Sequence, residues 1–201
     1  PINLWDALDA VVLTGITDRT NTDGLAETTS QISLIDLFTD ALPFHSFRLD
    51  FASPFVDMFQ RFKGKSYKYL YLDSEILSPE QAARLKGFHD AHRGGDPAAD
   101  VSIICVNQEV GAEDTDAMMA KIAEFQPDVV CGYVHRNWRD IIAAQYSAKT
   151  RIYGFALDSE KPGFVVKTSE WMGQVLPEIY EHLANRQSAT EHHVYPAKFV
   201  P

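Results

Sequence analysis

The stretch from Gln126 to Asp158, QPDVVCGYVHRNWRDIIAAQYSAKTRIYGFALD, constrains the fold more than any other, because it reads as one complete strand–helix–strand unit. The turn signal Gln126-Pro127-Asp128 is followed by Val129-Val130-Cys131, an apolar run too short for a helix, which predicts a buried strand. Residues Tyr133 to Asn137 then lead into a segment whose apolar positions 138, 141, 142 and 145/146 recur at helical spacing. A second strand is predicted over Arg151–Leu157, ending on Asp158. A parallel pair of this kind places the loop after each strand on one edge of the sheet, where open α/β folds keep their ligands. Residues 133–137 and 156–160 are therefore expected to face one crevice.

The same reading extends along the chain. Strands are predicted over Ala10–Thr14, Ile32–Ile35, Phe44–Leu49, Tyr67–Leu72, Val101–Val106, 164–167 and, finally, from near Val194 to Val200. Helices are predicted over Gly24–Gln31, from Ser53-Pro54 to Phe62, from Ser78 to about His92, over Glu113–Phe125 and from Ser169 to about Asn185. Ser78-Pro79-Glu80-Gln81 supplies an N-cap, a proline at the first helical position and an acidic first turn, while Gly94-Gly95-Asp96-Pro97 ends that helix. Pro177 is expected on the exposed early half of the last helix, bending it. Strands and helices alternate, so the class is α/β with mostly parallel sheet. Such a domain should open with its own first strand and helix, whereas residues 4–15 read as the end of a helix feeding a strand; the chain is expected to be a piece of something longer.

Composition removes several function classes. The 201 residues suffice for one ordinary domain or two small lobes, and 45% hydrophobic with 23% charged residues is a soluble, globular balance. No apolar run reaches membrane-spanning length and the N-terminus shows no charged-then-apolar leader, so the expected location is cytoplasmic unless a leader has been removed. A formal charge of −10 leaves no basic face for phosphates, so DNA contact must come from elsewhere. Cys105 and Cys131 lie in apolar strand-like runs and are expected as two buried thiols rather than a disulfide or zinc site. No catalytic triad ordering, metal-spaced His/Cys set or phosphate-cradling glycine loop is present, so neither enzyme activity nor a cofactor is expected. His192-His193 is read as an exposed, solvent-facing pair rather than a metal site.

The order and spacing of these elements resemble the effector-binding core of the LacI/GalR regulators, whose fold is that of type I periplasmic binding proteins. DALDAVVLTG is similar to the family's Asp-Gly segment that precedes an apolar strand, and SLIDLFTDALPFHSFRLDFASPFVDMFQRF resembles the next two strands and the helix that enters the second lobe. KSYKYLYL stands where the family has its Ile-Ala-Tyr-Leu strand, and ARLKGFHDA matches the pattern of an arginine, two residues and Gly-Phe. QPDVVCGYVHRNWRDIIAA, RIYGFALD and KTSEWMGQ fill the places of the Asn-Asp motif, the Gly-Phe-Asp-Asp motif and the Met-Gly segment. The resemblance covers nearly all the chain. It implies two lobes, one of 1–48 plus 169–191 and one of 49–168 plus 192–201, that close over a small molecule, usually a sugar or nucleobase. It also implies a homodimer whose upstream helix-turn-helix, absent from this chain, meets operator DNA.

What the resemblance implies for the site is carried residue by residue. Arg84, three residues before Gly87-Phe88, is expected to present its donor fork to ligand hydroxyls or a carboxylate, against the alternative of a solvated helix arginine. Asp36 falls at a strand end where the family has a cleft carboxylate, and is otherwise a loop cap. The family's Asn-Asp pair is Val134-His135 here, and its Gly-Phe-Asp-Asp has become Gly154-Phe155-Ala156-Leu157-Asp158. His135 is thus a ligand contact or a structural histidine, and Asp158 a replacement acceptor or a loop cap. Lys167, Arg136 and Gln108 are further candidates, and Trp138 a stacking platform or a core residue. Acidic groups are lost and His135, Lys167 and Arg136 gathered around Arg84, which suggests a sugar acid or sugar phosphate as effector besides a plain sugar. Two other functions stay open: a periplasmic solute-binding protein of a sugar ABC transporter, and a degenerate core acting through protein contacts.

Overall fold

The computed structural model describes residues 10–14, 31–35, 44–74, 79–106, 112–146, 148–185 and 191–201. The chain divides into two compact units. One comprises Pro1–Asp50, Ser78–Glu80 and Thr168–Pro196, and the other Phe51–Leu77, Gln81–Lys167 and Ala197–Pro201.

The first unit holds a wholly parallel four-stranded sheet in the order β1 (Ala10–Thr14), β2 (Gln31–Ile35), β3 (His45–Asp50), β9 (His192–Pro196). Its helix, α5 (Thr168–Asn185), buries Val175, Ile179 and His182, a single stripe at helical spacing. Pro177 lies inside this helix and is exposed. The expected helix over 24–31 falls mostly outside the described residues, and Gln31 itself begins β2.

The second unit is a six-stranded sheet in the order β10 (Lys198–Val200), β8 (Gly163–Val166), β7 (Arg151–Leu157), β6 (Val129–Gly132), β4 (Lys68–Ser74), β5 (Asp100–Val106). Every pair is parallel except β10 with β8. Helices α1 (Ser53–Phe62), α2 (Pro79–Gly95), α3 (Ala112–Phe125) and α4 (Arg136–Tyr146) connect the strands. Strand alternation splits the core in two. Tyr69, Tyr71, Val129 and Cys131 point to one face, where they pack with Phe55, Met58, Phe59 and Phe62 of α1 and Phe88 of α2. Leu70, Leu72 and Val130 point to the other, against Met118 and Ile122 of α3 and Trp138 and Ile142 of α4. A strand buried on both faces reads as a continuous apolar run, which is why KYLYL predicts β4 so clearly.

Two glycines permit close approaches. Gly132, at φ +114°, has no room for a side chain, since a Cβ would sit 2.4 Å from the Leu72 carbonyl oxygen. Gly87 lets α2 lie against the chain at the start of α1: a Cβ there would be 3.0 Å from Ala52 Cα. Among the described residues no helix is long and apolar enough to cross a membrane.

The structure corrects two expectations. The single strand from near Val194 to Val200 is two strands in two sheets. β9 pairs in parallel with β3 from Ser46↔His192 to Asp50↔Pro196, and β10 pairs antiparallel with β8. Pro196 brings no N–H to extend the first ladder, so the chain changes partner at Ala197. Residues 192–196 therefore pair within the first unit. Secondly, Cys131 is buried, but Cys105 is exposed because β5 is an edge strand in which Ile104 alone is fully enclosed. Both thiols are free. Burial pushes both above the ordinary thiol range, with the nearby Asp73 charge adding to the effect at Cys105. A thiol-reactive dye should accordingly label one cysteine slowly in the native protein and two after denaturation. Two labelled native thiols would contradict the burial of Cys131.

Candidate functional site

In the second unit, parallel pairing sets the ends of β4, β6, β7 and β8 along one edge of the sheet, with Leu72 opposite Gly132, Gly132 opposite Gly154, and Leu157 opposite Val166. This edge carries Arg84 and its partners. The Asp73 carboxylate, at the end of β4, is wholly buried. It accepts from Arg84 Nε at 3.0 Å and Arg84 Nη2 at 2.8 Å, a two-pronged pair. The Ser74 backbone N–H donates to the same carboxylate at 2.7 Å, and the Tyr71 hydroxyl donates to it as well. Burial raises the Tyr71 phenol above its ordinary range, and the Asp73 charge adds to this. For Arg84, burial opposes the charge, but the hydrogen bonds and charge of Asp73 outweigh it, and the guanidinium stays protonated above its usual value.

Local sequence explains why Arg84 stands here. Gly87, one turn further along α2, allows the helix to approach Ala52, which brings the Arg84 guanidinium over the Phe51 ring at 5.7 Å. The Tyr133 ring, after β6, lies 5.0 Å from the same guanidinium. The Arg84 side chain is 12% exposed, whereas Tyr133 is 40% exposed and offers an aromatic surface. Gln81, one turn before Arg84, donates from Nε2 to the Ser74 carbonyl at 2.7 Å and lies 3.6 Å from Cys105 Sγ, joining α2 to the ends of β4 and β5.

No family model matches this sequence, and no curated protein does either. Solved structures do. A LacI transcriptional regulator from Lactobacillus brevis superposes with a TM-score of 0.74 at 17% identity, over 96% of this chain and 78% of that one. One from a Rhodococcus species gives 0.73 at 14%, over 96% and 76%. A LacI family transcriptional regulator from Enterococcus faecium, solved with bound ribose, gives 0.72 at 9%, over 97% and 79%. The chain has the LacI fold. At these identities the likeness is one of fold, and the residues must be judged on their own positions.

Within this LacI fold, four of the expected contact residues lie on or beside the edge just described. His135 is exposed and its carbonyl accepts from Arg139 N at 3.0 Å, opening α4. Arg136 is the first residue of α4 and is exposed. Asp158 follows β7 at φ +49°, a conformation aspartate tolerates, with its backbone N–H donated to the Val166 carbonyl at 2.8 Å. Lys167 follows β8 and is half-buried. Asp36 and Gln108 lie outside the described residues. Trp138 is a core residue, fully buried between α3 and the sheet, and no stacking platform.

The residue that sequence reasoning missed is Asp73. It lies near the end of β4, as Asp158 follows β7, and by the argument applied to Asp158 it merited attention as a ligand or a partner. Its pairing with Arg84 means that the guanidinium expected to attract an anionic effector already has a carboxylate partner within the fold.

Proposed function

We propose that this chain is the ligand-sensing domain of a LacI-type transcriptional regulator, that its effector is a neutral sugar, and that it controls DNA binding by a separate helix-turn-helix segment. The observation that carries this reading is Arg84, held in place by Asp73 and flanked by Tyr133 and Phe51 at the strand ends of a LacI fold. Asp73 takes the Nε–Nη2 side of the fork, leaving the Nη1 side to meet sugar hydroxyls. Tyr133 supplies the aromatic face on which an apolar sugar surface rests. A guanidinium already balanced by a buried carboxylate favours hydroxyls over phosphate, since a second anion would compete with Asp73 for the same charge. The ribose bound to the Enterococcus faecium regulator is a sugar of this kind. His135, Asp158 and Lys167, on the same edge, are the proposed supporting contacts. The regulator acts as a homodimer, because two-fold operators demand two-fold proteins.

A thermal-shift panel of pentoses and hexoses, with their phosphates and acids, tests this. A sugar at one hundred times its Kd should stabilise the protein by about 2.7 kcal/mol. Arg84→Lys, which keeps a charge for Asp73 but loses the planar fork, should weaken that sugar roughly 10- to 100-fold, the range set by losing a charged hydrogen bond. Tight binding of a phosphate or acid with no response to neutral sugars overturns the neutral-sugar reading. No response to any of them favours the degenerate core. A helix-turn-helix encoded before residue 1 supports the regulator, and a secretion signal there the periplasmic solute-binding alternative.

A further inference from the structure

A second cluster of polar side chains lies in the first unit, whereas Arg84 belongs to the second, and nothing in the sensor reading uses it. Strand pairing sets Phe47 opposite His193, and the last turn of α5 brings His182 beside them. His193 stands between two carboxylates: Nδ1 is 3.0 Å from Glu178 Oε2 and Nε2 is 3.2 Å from Glu191 Oε2. His182 Nε2 lies 3.6 Å from that same Glu191 oxygen. His45 stacks on the His182 ring at 3.8 Å, and its Nδ1 accepts the Glu191 backbone N–H at 3.2 Å. Phe47, its partner across the β3–β9 ladder, stacks on His193 at 5.1 Å.

The contacts orient the His193 ring. The Glu178 oxygen next to Nδ1 also accepts the Tyr195 hydroxyl at 2.8 Å, so it is held in place on that side of the ring, and Nε2 faces Glu191. A histidine whose outer N–H is donated to a carboxylate, with its inner nitrogen aimed at further donors, is the arrangement that metal-ligating histidines adopt. The Glu191 oxygen lies 3.2 Å from His193 Nε2 and 3.6 Å from His182 Nε2, near the spacing of about 3.4 Å set by metal bonds of 2.0–2.2 Å in a tetrahedron, and all three ligand atoms lie within 4.8 Å of one another, so the two imidazoles draw together around an ion. Among the described residues this is the group of three such side chains that converges.

We propose that His182, His193 and Glu191 bind a divalent transition-metal ion of the zinc or nickel type, with Glu178 and Tyr195 orienting His193 and water completing the coordination. Two imidazoles select such an ion over magnesium or calcium, which take oxygen ligands. Glu191 and His193 are partly open to solvent while His182 is buried, so the ion enters from one side. Bound there, it links the end of α5 to β9, stabilising the first unit.

The test uses the intact chain, stripped with a chelator and then titrated with Zn²⁺ or Mg²⁺ alone by calorimetry and thermal shift. Zn²⁺ should bind one to one and raise Tm, and Mg²⁺ should do neither. Glu191→Gln and His193→Gln should each weaken Zn²⁺ at least about tenfold, and Glu178→Gln by roughly 10- to 100-fold through the orientation of His193. The metal-free Tm of Glu191→Gln should match the wild type, which separates loss of a ligand from loss of fold. X-ray absorption of the Zn²⁺ form should show two imidazole ligands. Absence of stoichiometric Zn²⁺ binding overturns the site. So does binding that survives both Glu191→Gln and His193→Gln, because the ion then sits on other histidines such as His89 and His92 of α2.

Discussion

Asp73→Ala is expected to cost about 3–5 kcal/mol, the penalty for leaving one member of a buried ion pair without its partner. Asp73 is inaccessible to solvent and gathers four donors: two from Arg84, the Ser74 N–H and the Tyr71 hydroxyl. Alanine removes the acceptor for all of them while the guanidinium remains mostly enclosed, with no water shell to replace it. For a protein of this size the Tm should fall by roughly 6–20 °C. Asp73→Asn retains the shape and some of the hydrogen bonds and should fall between. The decisive comparison is the double variant Asp73→Ala/Arg84→Met. Removing both charges leaves no charge uncompensated, so this protein should recover the part of the loss that comes from the stranded guanidinium, while the Tyr71 hydroxyl and the Ser74 N–H still lack their acceptor. Urea denaturation of the four proteins provides the measurement. An Asp73→Ala variant within about 0.5 kcal/mol of wild type would mean that Arg84 finds other partners and is not pinned as described.

This pairing also shows where sequence reasoning stops. Arg84 is legible because Gly87-Phe88 marks a helix that must approach another backbone closely, and a glycine with a contact 3.0 Å from its absent Cβ leaves a local trace. Asp73 leaves none. It is 11 residues from Arg84, and their meeting depends on how α2 lies against the end of β4. The second sheet is legible for a different reason: β4 and β6 are buried on both faces, so their apolar runs are continuous and bounded by turn signals. At the C-terminus that logic fails. HHVYPAKFV reads as one extended segment, and the change of partner from β3 to β8 is a property of two sheets rather than of nine residues. The histidine cluster is hidden likewise. His182, Glu191 and His193 are near in sequence, but His182 lies in the last turn of a helix and His193 on a strand, so only the way α5 meets β9 turns their side chains together.

Trp138→Ala should be comparably damaging, at about 3–5 kcal/mol, for a reason independent of charge. Helical spacing places Trp138 and Ile142 on one face of α4, and both are fully buried against Leu70, Leu72, Ile104, Met118, Ile122, Val130 and Val134. The indole is among the largest fully enclosed side chains of the second unit, and truncation opens a cavity that a sheet and two helices, already close-packed, cannot collapse to fill. The control is Trp138→Phe. The indole Nε1–H is buried and has no hydrogen-bond partner among the described residues. A buried donor left unpaired costs about 1–3 kcal/mol, so removing it with the second ring offsets much of the lost packing. Trp138→Phe should therefore lie within about 1.5 kcal/mol of wild type, the range of a tolerated hydrophobic exchange. Equal losses for phenylalanine and alanine in chemical denaturation would show that the indole nitrogen has a partner after all. A small loss for alanine would place Trp138 outside the core and return it to the surface that a stacking platform requires.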